Sequence, residues 1–293
     1  MNNAALGIIY GFVAMVCYGL INVWYRVAAE KMENLRISFY RNVFITLIFL
    51  VLLPWLPIKL ELKLFFSWKY TAIVLAISLI GFLSILTLLK AMNSGEKLGI
   101  ISPIANSAVV PTTLISIFWF DESPGEAKLF SIALIFLGVI LATMKWEDIK
   151  TGKFHLSTGV IFALITCLLW GVAYGVVRIP IGWFGPVLTS MIIEASICVY
   201  SAIAIKIKGG GFAWPDQRSL KYVVGISLAA ITASLATVLG FEAYDNSIVS
   251  AIFFANPIVV IIYSHIVFAE KLNRLQLGAA AMIVAGITGV CVL

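Results

Sequence analysis

Charge is scarce in this chain. Asp, Glu, Lys and Arg make up 12% of its 293 residues, about half the share of an ordinary soluble domain, so no charged, water-facing shell can be built. Histidine is rarer still, with 2 residues, and there is no D-x-x-D or clustered histidine array in which a membrane-embedded lipid enzyme could gather its acids or bases. A G-x-x-x-x-G-K-[ST] phosphate loop is also missing, which argues against direct ATP drive within this chain. The 4 cysteines, Cys17, Cys167, Cys198 and Cys291, show no C-x-x-C spacing and all fall in apolar stretches. They read as small buried hydrophobes, with neither disulfide nor metal, and no cofactor is expected. No basic segment precedes the first apolar run at Met1-Asn2-Asn3, so a cleaved signal is not expected either.

Apolar residues fill the space left by charge. They form 62% of the chain, and the mean hydropathy is +1.06. They fall in runs that read as spans at 6–27, 38–56, 69–91, 99–120, 128–145, 158–179, 184–205, 221–242, 248–268 and 275–293. A helix of about 20 residues at 1.5 Å per residue crosses a hydrocarbon layer of roughly 30 Å. The runs lack the alternation of an outer-membrane barrel. The expectation is an all-α integral membrane protein of ten transmembrane helices. Lys59 to Lys63, followed by Phe65, Phe66 and Trp68, suits a segment lying in the membrane interface. The net charge of +6 resides in loops and helix ends, which favours lipid head groups over nucleic acid as a partner.

The chain is written twice. Gly7, Tyr18-Gly19 and Arg26 recur 152 residues later as Gly159, Trp170-Gly171 and Arg178, as does Lys69-Tyr70 in Lys221-Tyr222. At an offset of 148, Ser102, Ser116, Phe120, Glu122, Leu129 and Gly138 meet Ser250, Ser264, Phe268, Glu270, Leu277 and Gly286. The polar stretch from Lys145 to Ser157 is the natural seam, giving repeats at 1–146 and 156–293. Each repeat has five spans, and an odd number sends the second repeat in from the opposite side, as two inverted five-helix units around a central cavity.

The segment Asn256-Pro257 through Phe268-Ala269-Glu270-Lys271-Leu272, followed by Leu275-Gln276-Leu277-Gly278-Ala279 and Ala285-Gly286, resembles the end of an EamA repeat of the drug/metabolite transporter superfamily. Pro111 to Phe120-Asp121-Glu122, then Leu129 and Gly138, is the weaker copy. The resemblance covers essentially the whole chain. It implies a cavity lined by spans 1, 3, 4, 6, 8 and 9 and a family that mostly exports amino acids and other small metabolites. The basic tail common after the last helix in that family is not found after Cys291-Val292-Leu293.

Polar groups inside hydrocarbon are costly and tend to face the bundle interior. Tyr18, Asn22 and Arg26 lie at helical spacing on the first span, and Trp170, Tyr174 and Arg178 repeat them on the sixth. Facing stripes of this kind would form an aromatic, hydrogen-bonding cavity with a cation at each mouth. The spans around Ser102, Pro103, Asn106 and Pro111 and around Ser250, Asn256, Pro257, Ser264 and His265 are interrupted by proline, which frees carbonyls that a neighbour, water or substrate must answer. Asn106 and Asn256 join the candidate substrate site. Glu194 sits near the middle of the seventh span, where a carboxyl must be protonated, paired or wet. It could carry a proton, as could Glu242 at the end of the eighth span, or it could pair with Arg41 of the second span. Glu122 and Glu270 close their spans and read as interfacial and structural, and Gly7-x-x-x-Gly11 and Gly171-x-x-x-Gly175 allow close helix approach.

The reading that follows is a secondary transporter of a small metabolite, an amino acid or derivative, in a bacterial inner membrane, as a monomer or weak dimer, with protons as the candidate coupling ion. A multidrug, sugar, nucleotide-sugar or organic-cation transporter stays open, and a membrane-embedded lipid enzyme stands further off.

Overall fold

The computed structural model describes residues 3–55, 67–123, 125–143 and 156–292. The interfacial segment expected at 59–66 and most of the seam at 145–155 lie outside the described residues. Among those described, every regular element is helical: α1 Asn3–Ala29, α2 Asn34–Leu52, α3 Trp68–Met92, α4 Leu98–Asn106, α5 Val109–Phe120, α6 Glu126–Thr143, α7 Thr158–Val176, α8 Arg178–Phe184, α9 Pro186–Ile207, α10 Gln217–Ala243, α11 Asn246–Phe254, α12 Pro257–Phe268 and α13 Arg274–Val292. With α4/α5, α7/α8 and α11/α12 each counted as one interrupted helix, eight segments are long and apolar enough to cross a membrane.

The helices are hydrophobic on nearly all sides because most face either lipid or one another. Outward positions carry Phe12, Leu47, Val51, Phe118 and Ile262, all exposed, and Trp55, Trp68 and Trp214 stand exposed near helix ends, where indoles suit the membrane interface. Inward hydroxyls are answered within their own helix: Ser78 donates to Val74 O, Thr166 to Phe162 O and Ser227 to Val223 O. In a medium without water this is the nearest available acceptor.

The interruptions come from proline and asparagine. Pro257 opens α12 directly after Asn256, and Pro111 lies in the first turn of α5 after the break at 107–108. Proline cannot donate to the preceding turn, so the helix stops and restarts. The 148-residue offset found in the sequence carries each end of α4 and α5 onto the corresponding end of α11 and α12. It also relates the two described non-glycine residues with positive φ, Asp121 (54°) and Ala269 (51°), which cap α5 and α12.

Packing is reciprocal between the halves. Helix α1 lies along α10 and touches both α11 and α12; α7 lies along α3 and touches both α4 and α5. Small residues make this possible. A methyl on Gly19 would strike Val259 Cβ at 2.5 Å, and one on Gly171 would strike the Pro111 ring. Gly138 packs on Ile283 and Gly286 on Ile135, so α6 and α13 exchange a glycine for an isoleucine in both directions. Gly7, Gly11 and Gly175 are likewise close-approach sites, against Tyr244, Ile252 and Ile115.

Candidate functional site

The helices leave a cavity of about 110 Å³ where the two halves meet. Tyr18, Ile21, Asn22 and Tyr25 of α1 line it, with Trp170, Ala173, Tyr174 and Val177 across from them. The phenols meet: Tyr174 OH donates to Tyr18 OH at 3.0 Å, and Thr237 Oγ1 donates to Tyr18 OH at 3.4 Å. The Tyr174 ring stands 5.0 Å from Phe253 and edge-on to Phe254 at 5.6 Å, between centroids. Such tilted and edge-on pairs place ring edges against ring faces, which fixes the wall's shape.

A chain of buried amides runs beside this wall. Asn22 Nδ2 donates to Asn256 Oδ1 at 3.1 Å, Asn256 Nδ2 donates to Asn106 Oδ1, and Asn106 Nδ2 donates to Ser102 O at 2.8 Å. All three asparagines line the cavity. Asn106 ends α4 and Asn256 precedes α12, so the two helix breaks are tied to each other and to α1.

Arg26 and Arg178 take other places than the mouths of this cavity. Arg26 donates to Glu96 O at 2.9 Å, and Arg178 lies 3.6 Å from Glu122 and over the Phe120 ring. The reason is helical geometry. At about 100° per residue, position i+7 returns to within roughly 20° of the first residue, whereas i+8 is about 80° away. The inward stripes therefore run from Tyr18 and Asn22 to Tyr25, and from Trp170 and Tyr174 to Val177.

The expectation that spans 2 and 7 stand back from the cavity is also corrected. Arg41 of α2 and Glu194 of α9 both line it, together with Ser190, Ile193 and Ile197. They pair through two hydrogen bonds, Nη1 to Oε2 at 3.0 Å and Nη2 to Oε1 at 3.3 Å. Each side chain is 7% exposed. Arg41 Nη1 also donates to Asn42 Oδ1 at 2.9 Å. The signal that pointed to Arg41 was the repeat, since it lies one position from the equivalent of Glu194 at the 152-residue offset.

Glu242 is exposed and lies instead on a second, larger cavity of about 760 Å³, with Arg178, Trp183, Gly185 and Phe241. Lys128, which the sequence reading passed over, is buried: its ammonium donates to Ser247 Oγ at 3.1 Å and stands 4.0 Å from Glu122. His265 Nδ1 donates to the backbone carbonyl of Glu270 at 2.9 Å, a structural hydrogen bond. Among the described residues no three His, Cys, Asp or Glu side chains cluster in a way that could hold a metal ion.

Comparison with known proteins agrees with this architecture. No curated protein matches the chain. A solved crystal structure is similar in fold, with a TM-score of 0.72 at 14% identity over 98% of this chain and 97% of its own. The model of the EamA-like transporter family matches twice, over residues 5–144 and 157–292. An integral, multi-pass membrane protein with two such matches belongs to the EamA-like transporter family.

Proposed function

We infer that the chain is a secondary transporter that moves a small amino acid or derivative by alternating access, with ten spans arranged as two inverted five-helix repeats. The observation that carries this reading is the cavity between the halves, to which both matched halves contribute aromatic rings, amides and one charged residue each. Its reciprocal surroundings support the inversion: α1 on α10 with α11 and α12, and α7 on α3 with α4 and α5, are the contacts expected when one half repeats the other upside down. A volume of about 110 Å³ is well below the roughly 300–1,000 Å³ of sites for drug-sized ligands, which favours a single amino acid over a nucleotide sugar or a polycyclic drug. Export from a bacterial cytoplasm across the inner membrane fits the family.

The test is flux in proteoliposomes over a panel of amino acids, sugars and cationic drugs, repeated with Trp170→Ala and Tyr18→Ala. Amino acids should move, and each truncation should weaken apparent affinity several-fold, since an aromatic contact contributes on the order of 1 kcal/mol. Movement of cationic drugs or nucleotide sugars alone would sink the amino-acid reading.

A further inference from the structure

The bonds between Arg41 and Glu194 leave both groups with capacity to spare. Arg41 Nη1 donates to Glu194 and to Asn42, and Nη2 donates to Glu194. The Nε atom is buried with no hydrogen-bond partner. A guanidinium has five N–H donors and an ionised carboxylate about four acceptor positions. A buried donor left unanswered costs free energy that a suitable guest recovers.

The pair also lines the cavity, so a guest in that cavity meets both charges at once. A lone cation or anion would bring an uncompensated charge into a site of low dielectric, where the desolvation cost is severe. A zwitterion brings none. Its carboxylate can take the spare donors of Arg41 while its ammonium takes the spare lone pairs of Glu194. With Nη1 and Oε2 only 3.0 Å apart, the two poles it must satisfy are as close together as groups carried on one carbon atom.

We propose that Arg41 and Glu194 act together as a recognition element for the α-ammonium and α-carboxylate of a free amino acid, whose side chain then lies against Ile85, Ile193, Tyr174 and Phe253. This deepens the transporter reading and rests on it. It assigns the cavity's selectivity to charge pattern on α2 and α9, and leaves the apolar wall to select side-chain size. A mere brace between α2 and α9 would hold the helices together but leave ligand charge preference indifferent to its removal.

The experiment compares three probes with one carbon skeleton in proteoliposomes of the full chain: L-leucine, 3-methylbutan-1-amine (leucine without its carboxylate) and 4-methylpentanoate (leucine without its ammonium). In the unaltered protein leucine should compete for uptake of radiolabelled leucine at least about tenfold better than either monopole, because each of these forfeits charge-assisted hydrogen bonds to a buried partner. Glu194→Gln should shift preference toward 4-methylpentanoate and Arg41→Gln toward the amine. The double variant Arg41→Gln/Glu194→Gln strands no charge, so it can be compared after its monodispersity in detergent is verified. Its leucine preference should fall to within about threefold of the monopoles, the residue left by neutral hydrogen bonds. If the double variant keeps the full preference for leucine, the pair is a brace and the proposal fails while the transporter reading stands. If the unaltered protein moves none of the three probes but carries another class of solute, the amino-acid reading fails and takes this proposal with it.

Discussion

Glu122 and Glu270 each hold the start of a helix in the other half of the chain. The carboxylate of Glu122 accepts the backbone N–H groups of Asn246 (2.9 Å) and Ser247 (3.3 Å) at the start of α11. That of Glu270 accepts those of Leu98 (3.0 Å) and Gly99 (3.3 Å) at the start of α4. Acceptor and donors shift by the same 148 residues. A carboxylate there answers two amide groups that no preceding turn can reach, and it faces the positive end of the helix dipole.

The two sites differ in what else they hold. Glu122 also faces Arg178 and the buried Lys128, whereas Glu270 has no ion pair among the described residues. Replacing Glu122 by glutamine removes the counter-charge from both cations and should cost about 3 kcal/mol, the scale of a broken buried pair. Glu270→Gln keeps an acceptor for one amide and should cost about 1–2 kcal/mol. Thermal unfolding in detergent should therefore rank the native protein above Glu270→Gln and that above Glu122→Gln; equal losses would mean that Lys128 and Arg178 do not depend on Glu122.

Much of this arrangement was legible in the sequence, because helices in lipid keep their polar groups in register. The offset that aligned Glu122 with Glu270 also aligns the helix ends, and the asparagines that stood beside prolines do occupy the breaks. What could not be read was which neighbour covers a given face. Arg26 and Arg178 stood at plausible spacing but turned to Glu96 O and Glu122, and Arg41 came to the cavity only through the packing of α2 against α9. A spacing rule gives the direction of a side chain from its own axis; tertiary packing decides what lies in that direction.

Ala269 and Asp121 allow a test of backbone strain at equivalent caps. Both adopt the left-handed conformation, φ 51° and 54°, that turns the chain so that the next residue, a glutamate, meets the other half. A Cβ costs roughly 1–2 kcal/mol in that region, and part of the relief on changing to glycine is offset by the entropy of the unfolded chain. Ala269→Gly should raise stability by about 0.5–1 kcal/mol. Asp121→Gly should gain less, since aspartate tolerates the conformation better than alanine. A loss of stability in Ala269→Gly, measured by the same unfolding assay, would contradict the strained cap.

Gly286 and Gly278 lie on the same helix with opposite surroundings. A methyl on Gly286 would sit 2.6 Å from Ile135 Cγ1 and 2.8 Å from Ser131 O, while nothing stands within 4 Å of one on Gly278. Since one of the clashing atoms is backbone, α6 and α13 must separate to admit it. Gly286→Ala should therefore cost about 1–3 kcal/mol, as overpacking does, and Gly278→Ala should be neutral or slightly favourable. Comparable midpoints for the two variants would show that α13 does not pack on α6 through Gly286.

Energy input leads to the last prediction. Of the two carboxyls considered as proton carriers, Glu194 is bound to Arg41, and it cannot cycle through a neutral form without stranding a buried cation. Glu242 is exposed, lines the larger cavity beside Arg178, and has no ion pair among the described residues. If the proposed amino-acid transport holds, leucine would enter as a neutral zwitterion, so an imposed pH gradient would accelerate its net flux only if a titrating group on the protein moved with it. In proteoliposomes Glu242→Gln should abolish that acceleration and leave leucine exchange at equal pH within about twofold of the native rate, because a surface substitution changes little else. Glu194→Gln should instead impair exchange itself. Acceleration undiminished in Glu242→Gln would remove this carboxyl from the coupling step and leave facilitated diffusion through the cavity as the account of leucine movement.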